Sequence, residues 1–286
     1  MSILSDEQFE RLQRLGDLLA GLRLFERHRE ILERRFRRLG FCDANAIVSC
    51  LDAAECGEPA ATQRIVGLLT TKHTGFFRHP WHFDIAAEHL LWAAHGRGHA
   101  AAWCAAAATG EEPYSLAMAL LEVFRVDRPP VAILATDIDD DALAFARRAE
   151  YGEAALHELD PVRRARFFSR AESRWTVTPC VRDRVELRSL NLVDRSWKTD
   201  PAFDVIFCRN VLMYLTAPHR LDVLRRMAAL LAPGGLLFID PTEHIGPAAH
   251  LFTQKGAGAY SPRGVRRTLS HPRAGLGELL SAEERP

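Results

Sequence analysis

The chain has 286 residues, with Lys+Arg and Asp+Glu at 37 each, no formal net charge, and apolar residues at 48%. That balance gives ample core material for about two domains and excludes disorder along the whole chain. It also removes any general electrostatic case for nucleic acid as a partner, because phosphates call for a basic surface. Met1 to Leu15 mixes Asp6, Glu7, Glu10 and Arg11 with apolar residues, which is not the pattern of a secretory leader. The longest apolar run, Ala100 to Ala108, is far short of the roughly 18 residues needed to span a bilayer. A cytoplasmic protein without direct membrane insertion is expected. The cysteines at 42, 50, 56, 104, 180 and 208 form no CxxC pair, so neither a metal site nor a disulfide framework is expected.

The first part of the chain reads as helical. Ser5 with Gln8 makes a capping box, and Phe9, Leu12, Leu15, Leu19 and Leu22 follow at spacings of three and four. A second helix is expected over Glu26 to Leu39, stopped by Gly40. It carries Arg27, Arg29, Arg34, Arg35, Arg37 and Arg38 against Glu30 and Glu33. Such a helix either presents a solvated face or docks an acidic partner, for which Arg34, Arg35 and Arg38 are the candidates. Shorter helices follow over Asp43 to Ala54 and Pro59 to Leu69. The period then breaks over Thr70 to Pro80, and Pro80 opens another helix at its first position.

From residue 100 strands alternate with helices. Ala100 to Ala108 is apolar and leads through Thr109-Gly110-Glu111-Glu112-Pro113 into a helix from Tyr114 to Val123. Val131 to Ala135 ends in Thr136-Asp137, and a helix follows from Asp139. Val185 to Leu190 ends at Asn191. Phe203 to Cys208 ends in Arg209-Asn210, a helix runs from Pro218 to Leu231, and Pro233-Gly234-Gly235 turns the chain into Leu236 to Asp240. This alternation predicts an α/β domain on a parallel sheet. Ligands of such sheets bind beyond the carboxyl ends of the strands, where this chain concentrates its polar residues. Arg174 to Val177 and Pro179 to Arg184 are expected to form a small hairpin in an insert over about 160–184. The stretch 261–286, rich in Arg, Gly, Pro and Ser, is expected to be a disordered tail.

The first strand tip lacks the GxGxxG fingerprint and offers an alanine run instead. Alanine permits close backbone approach but is not expected to adopt the φ > 0 turns of a diphosphate cradle. Asp137 nonetheless stands where ribose hydroxyls bind, so an adenosine ligand without a diphosphate fits. S-adenosylmethionine (SAM) is one, with an ammonium and a carboxylate at its other end.

These strings resemble those of the CheR-type chemotaxis receptor methyltransferases. Thr70-Thr71-Lys72-His73-Thr74-Gly75-Phe76-Phe77-Arg78 is similar to the family's TTNxTxFFR, and the run Thr109 to Ala117 to its TGEEPYSLA. Ala135 to Asp139, Asn191-Leu192, Phe203 to Val211, Pro233 to Phe238 and Glu243 match in order. The resemblance implies a helical N-terminal domain over 1–75 and a Rossmann-like SAM-dependent methyltransferase domain over 76–260. A small antiparallel β-subdomain would be inserted in the latter. It implies SAM-dependent protein-glutamate O-methyltransferase activity on the cytoplasmic signalling domain of chemoreceptors, with S-adenosylhomocysteine as product, no metal, and a monomeric enzyme. Carried over, Thr74 and Arg78 would meet the methionine part of SAM, Glu111 its ammonium, Asp137 the ribose, and Asn191 and Leu192 the adenine. Arg209 and Asn210 would line the pocket near the methyl group, and Tyr214 would either reach the substrate or pack. Lys72 departs from the motif asparagine, and Asp240-Pro241-Thr242-Glu243 departs from the small-residue GxSE pattern.

A glutamate acceptor, with a reference pKa of about 4.3, is ionised at neutral pH, so no general base is required. The opposite charges of acceptor and sulfonium cancel as the methyl moves, which leaves alignment and exclusion of water as the sources of rate. Two other functions fit the sequence less fully: a non-catalytic SAM- or receptor-binding regulator, and a methyltransferase for another acidic protein.

Overall fold

The computed structural model describes residues 3–41, 43–72, 74–199 and 202–263. The expectations for His73 and for the tail beyond 263 lie outside the described residues. Four helices come first: α1 (Asp6–Ala20), α2 (Arg29–Arg38), α3 (Ala44–Glu55) and α4 (Pro59–Leu69). The capping box forms as expected: Gln8 N donates to Ser5 Oγ at 3.2 Å and Ser5 N donates to Gln8 Oε1 at 2.9 Å. Gly21, at φ +64°, ends α1 in the left-handed conformation. The basic helix begins with one 3-10 turn over Glu26–His28 rather than as a single α-helix. Asp43 caps α3 through Ala46 N.

The remaining elements are α5 (Pro80–Arg97), β1 (Ala100–Ala105), α6 (Glu111–Phe124), β2 (Val131–Asp137), α7 (Asp140–Arg148), β3 (Glu150–Gly152), α8 (Pro161–Phe167), β4 (Phe168–Ala171), β5 (Arg174–Val177), α9 (Pro179–Arg182), β6 (Val185–Ser189), β7 (Phe203–Cys208), α10 (Ala217–Leu230), β8 (Leu231–Phe238), β9 (Phe252–Gly256) and β10 (Ala259–Pro262). Seven strands form one sheet in the order β6-β2-β1-β7-β8-β10-β9. The first five run parallel, and β10 pairs antiparallel with both neighbours. Successive strands leave β1 in opposite directions, so a switch point opens between β1 and β7 at their carboxyl ends. Among the described residues no helix is long and apolar enough to cross a membrane.

Each face of the sheet is covered. Phe83 of α5 stacks on Phe207, which stacks on Phe238, with centroids 5.4 and 4.9 Å apart. On the opposite face Trp103, Ile206 and Leu237 share a core with Leu12, Phe36 and Ile65 of the N-terminal helices. Those helices therefore form a wall of the same body rather than a separate bead. Cys104 and Cys208 are buried strand residues, and burial raises both thiols above their usual range.

Two expectations about strands need correction. The inserted sheet, β3-β5-β4, places β4 and β5 inside the expected 160–184 window, but it starts earlier, with β3 at Glu150. Its hairpin joins β4 to β5, whereas Pro179, which has no N–H to give a strand, opens the short helix α9. The β9–β10 hairpin was not predicted. Its outer strand exposes Thr253, Gln254 and Lys255 and so lacks an apolar alternation.

Gly258 makes that hairpin possible. It sits at φ +73°, and a Cβ there would lie 2.5 Å from the Ile239 carbonyl oxygen and 3.1 Å from the His82 ring. Gly258→Ala should therefore cost roughly 2–4 kcal/mol, the left-handed penalty plus overpacking. Gly57 is the matched control, because its φ is +79° and a Cβ there would meet no described atom within 4 Å. Thermal melts should show a markedly larger drop for Gly258→Ala than for Gly57→Ala. Equal drops would mean that backbone conformation alone matters at Gly258.

Candidate active site

A cavity opens at the carboxyl ends of β1, β2 and β7. The N-terminal helices close it from above through Ala20, Leu22 and Leu69. Of the residues expected from the sequence, Thr74, Arg78, Asp137, Asn191, Leu192, Arg209, Asn210 and Tyr214 all line this one cavity. Glu111 does not. It is buried, and Thr109 Oγ1 donates to its carboxylate at 2.7 Å. The acid at the cavity wall is Glu112. Both residues open α6, but adjacent helical positions point about 100° apart, so only one can face the cavity.

The floor is the β1–α6 turn. Contrary to the expectation for alanine, Ala106 and Ala108 both take positive φ, at 65° and 47°. The strained turn is held by Ala107 N donating to Thr136 O (2.9 Å) and Ala108 N donating to Asp137 Oδ2 (2.8 Å). Gly110 follows at φ +98°, packed so closely that a Cβ would meet Ala146, Tyr114 and Tyr151 each at 3.0 Å. Tyr151 Oη donates to Thr109 O, tying the inserted sheet to the same turn.

Asp137 ends β2 facing the cavity. Its Oδ1 accepts from Asp139 N at 2.9 Å, so each oxygen carries one backbone bond and keeps lone-pair capacity for a ligand hydroxyl. Burial pushes this carboxyl up, against the pull of those backbone donors. Asn191 braces the opposite side: its Nδ2 donates to Leu19 O of α1 at 2.6 Å and its Oδ1 accepts from Val193 N. Leu192 is buried beside it.

The deepest feature is an ion pair. Arg209, 5% exposed, lies with Nη1 3.3 Å from Glu112 Oε2, and another of its N–H groups donates to Arg78 O. Its guanidinium carbon sits 5.6 Å from the Phe83 ring centroid. Arg209 Nε and Glu112 Oε1 are both buried and find no hydrogen-bond partner among the described residues. Burial pushes Glu112 up to about 7, opposed by the positive charges of Arg209 and Arg78. Asn210 holds φ 57° because Glu243, at the tip of β8, accepts from Asn210 N (2.8 Å) and Met213 N (3.1 Å).

Two sequence features find unexpected partners. Lys72 bridges Asp139 at 2.9 Å, and Thr70 Oγ1 donates to the same carboxylate at 3.0 Å, which straps the crossover segment to the tip of β2. In the basic helix, Arg34 and Arg38 are exposed, but Arg35 is tied down. Its guanidinium donates to Leu68 O, to Thr70 O (2.7 Å) and to Thr71 Oγ1 (3.2 Å). Arg35 therefore supports the cavity wall and is not part of the exposed face that carries Arg34 and Arg38.

The donor set suits SAM. An unpartnered buried carboxylate oxygen matches an ammonium, an arginine at the cavity wall matches a carboxylate, and Asp137 matches a pair of hydroxyls. Glu112 and the Ala106–Ala108 turn are the site features that sequence reasoning missed. The TGEEP string signals that one of two adjacent acids faces the cavity, without saying which.

Comparison with known proteins gives the same direction. The family model "CheR methyltransferase, SAM binding domain" matches residues 72–260. A chemotaxis protein methyltransferase of Salmonella typhimurium is 36% identical over 266 residues, covering 90% of this chain and 91% of that one. Chemotaxis protein methyltransferase 2 of Pseudomonas aeruginosa is 35% identical over 264 residues, covering 90% and 93%. The Escherichia coli chemotaxis protein methyltransferase is 34% identical over 266 residues, covering 90% and 91%. A SAM-dependent methyltransferase fold, a cavity furnished for that cofactor, and these similarities along nearly the whole chain agree: the chain belongs to the CheR methyltransferase family.

Proposed function

We propose that this protein transfers a methyl group from SAM to glutamate side chains on the cytoplasmic signalling helices of chemoreceptors, giving glutamate methyl esters and S-adenosylhomocysteine. The observation that carries the reading is one cavity lined by eight of the expected site residues, in a chain of the CheR family.

SAM, when bound, supplies an electrophilic methyl on a positively charged sulfur. The chain's residues bind, orient and keep water out. Asp137 accepts from the ribose hydroxyls, Leu192 and Asn191 flank the adenine, and Glu112 rather than Glu111 takes the ammonium, helped by Thr74 nearby. Arg78 takes the cofactor carboxylate through its planar fork. Arg209, held by Glu112 and by the Arg78 carbonyl, shapes the inner wall and does not clamp the nucleophile, since its donors are already directed inward. Asn210 and Tyr214 border the space where the acceptor carboxylate enters. Met213, 45% exposed next to Tyr214, offers an apolar rim to a helical substrate. No residue is needed to deprotonate the acceptor, because glutamate is ionised well below neutral pH.

This division of labour separates binding from chemistry by pH. With Glu112 titrating at about 7 in the free protein, its charged form is lost as pH falls through that value. SAM affinity should be about fivefold weaker at pH 6 than at pH 7, a range in which the cofactor's ammonium is mostly protonated. Single-turnover rate at saturating SAM should stay flat from about pH 6.5 to 8.5. In Glu112→Gln the affinity should be low and independent of pH. A pH-independent wild-type affinity would remove Glu112 from the ammonium site, and a rate inflection near 6.5 would demand a histidine base.

Docking of the acidic receptor helices falls to Arg34 and Arg38. Reversing both to Glu should raise the KM for a receptor fragment about tenfold while leaving SAM affinity level, and wild-type KM should rise with salt. Arg35→Glu should instead weaken SAM binding, because it releases the Leu68 and Thr70 carbonyls and the Thr71 hydroxyl. Equal effects of the three changes on both ligands would dismiss a docking role for α2.

A further inference from the structure

Asp240 sits at the end of β8 with its side chain 2% exposed, where the family pattern has a small residue. Its Oδ1 accepts from Thr242 N (3.0 Å) and Thr242 Oγ1 (2.7 Å). Its Oδ2 accepts from Asn210 Nδ2 (2.7 Å) and His79 Nε2 (3.2 Å), with Arg78 Nη2 at 3.6 Å. An ionised carboxylate only accepts, so His79 carries its proton on Nε2. His79 can turn its ring inward because its backbone adopts φ 58°, an uncommon conformation for a side-chain-bearing residue just ahead of a proline. Burial pushes the Asp240 carboxyl up, but these donors outweigh it and hold the group ionised far below the usual range.

We propose that Asp240 is a positioning residue for methyl transfer, acting through Asn210. This rests on the site reading above and adds a role that the sequence pattern alone would have counted as a defect. Glu243 fixes the backbone of Asn210, and Asp240 fixes its side-chain amide. With Nδ2 committed to Asp240, the amide cannot flip, and a constant face is turned to the cavity. Arg78, whose guanidinium borders the same oxygen, is held toward the same end of the site. A chain with a small residue at this place would leave the Asn210 amide to be oriented by other means. The Asp240 departure is thus matched by a complementary set of donors and does not mark lost turnover.

Asparagine at 240 is the sharp test. It has one carbonyl oxygen, so it can satisfy either the Thr242 pair or the Asn210 and His79 donors at Oδ2, never both. We expect Asp240→Asn to lower kcat by about tenfold, with less than about threefold change in calorimetric affinity for S-adenosylhomocysteine and a modest drop in Tm. The decisive readout is a double-mutant cycle with Asn210→Ala. If Asp240 acts through Asn210, adding Asp240→Asn to Asn210→Ala should lower kcat by less than about twofold. His79→Asn, which tolerates the left-handed backbone but falls short of the carboxylate, should give a smaller loss that also vanishes in Asn210→Ala. It keeps the test alive if Asp240→Asn fails to fold. Losses of the same size in both backgrounds would make Asp240 merely structural and overturn the proposal. Wild-type kcat in Asn210→Ala would overturn both the proposal and the site reading on which it rests, whereas additive losses leave that reading standing.

Discussion

A buried ion pair at the switch point of the sheet organises the rest of the molecule. Removing Arg209 and Glu112 from water is costly, and their mutual attraction offsets that cost only if the remaining polar atoms are satisfied. Among the described residues the pair leaves one atom on each side without a partner, Arg209 Nε and Glu112 Oε1. Such a site is incomplete without a ligand, and the missing charge on the Glu112 side is positive. The apolar surroundings that make the pair expensive also strengthen it, since Phe83 and Phe207 exclude water from the guanidinium. The third donor of Arg209 goes to the carbonyl of Arg78, so the inner wall and the crossover segment are set by one side chain.

The same constraint explains why the N-terminal helices belong to the active unit. A cavity at strand tips needs a roof, and α1 and the α4–α5 crossover supply it. The roof is fastened at three places by polar groups with few alternatives: Asn191 to the Leu19 carbonyl, Arg35 to the carbonyls of Leu68 and Thr70, and Lys72 to Asp139. Backbone bonds from Thr216 N to Gly21 O and from Arg23 N to Tyr214 O close the remaining side. The basic helix thus has two faces, with Arg35 turned to the cavity wall and Arg34 and Arg38 to solvent. Its excess of arginine reads as one feature in sequence and divides in space.

Most of the parallel sheet was legible because buried parallel strands are short continuous apolar runs, and Phe203 to Cys208 or Val131 to Ala135 can hardly be anything else. The strand-tip residues were legible for a related reason: polar side chains that end apolar runs sit at the carboxyl edge by construction. What escaped depended on tertiary context. Glu111 and Glu112 differ only by a helical rotation that the packing of Tyr114 and Gly110 decides. Ala106 and Ala108 take positive φ because Thr136 O and the Asp137 carboxylate compel it, which no local preference of alanine reveals. The inserted sheet begins with three residues, Glu150–Gly152, too few for any periodicity to register, and β9 shows water three polar side chains in succession. Asp240 was legible as an oddity, but its meaning lies in residues 30 and 161 positions away.

Ester formation on glutamate is the claim to which the cavity, the ion pair and the docking helix all contribute, and its product has a chemical signature. The purified protein would be incubated with methyl-labelled SAM and the cytoplasmic fragment of a chemoreceptor. The peptides would be mapped by mass spectrometry before and after mild alkali, which hydrolyses carboxyl methyl esters. The account predicts label on glutamate side chains of the receptor helices that is released by alkali as methanol. Alkali-stable label, or no label on a receptor fragment with SAM demonstrably bound, would contradict it.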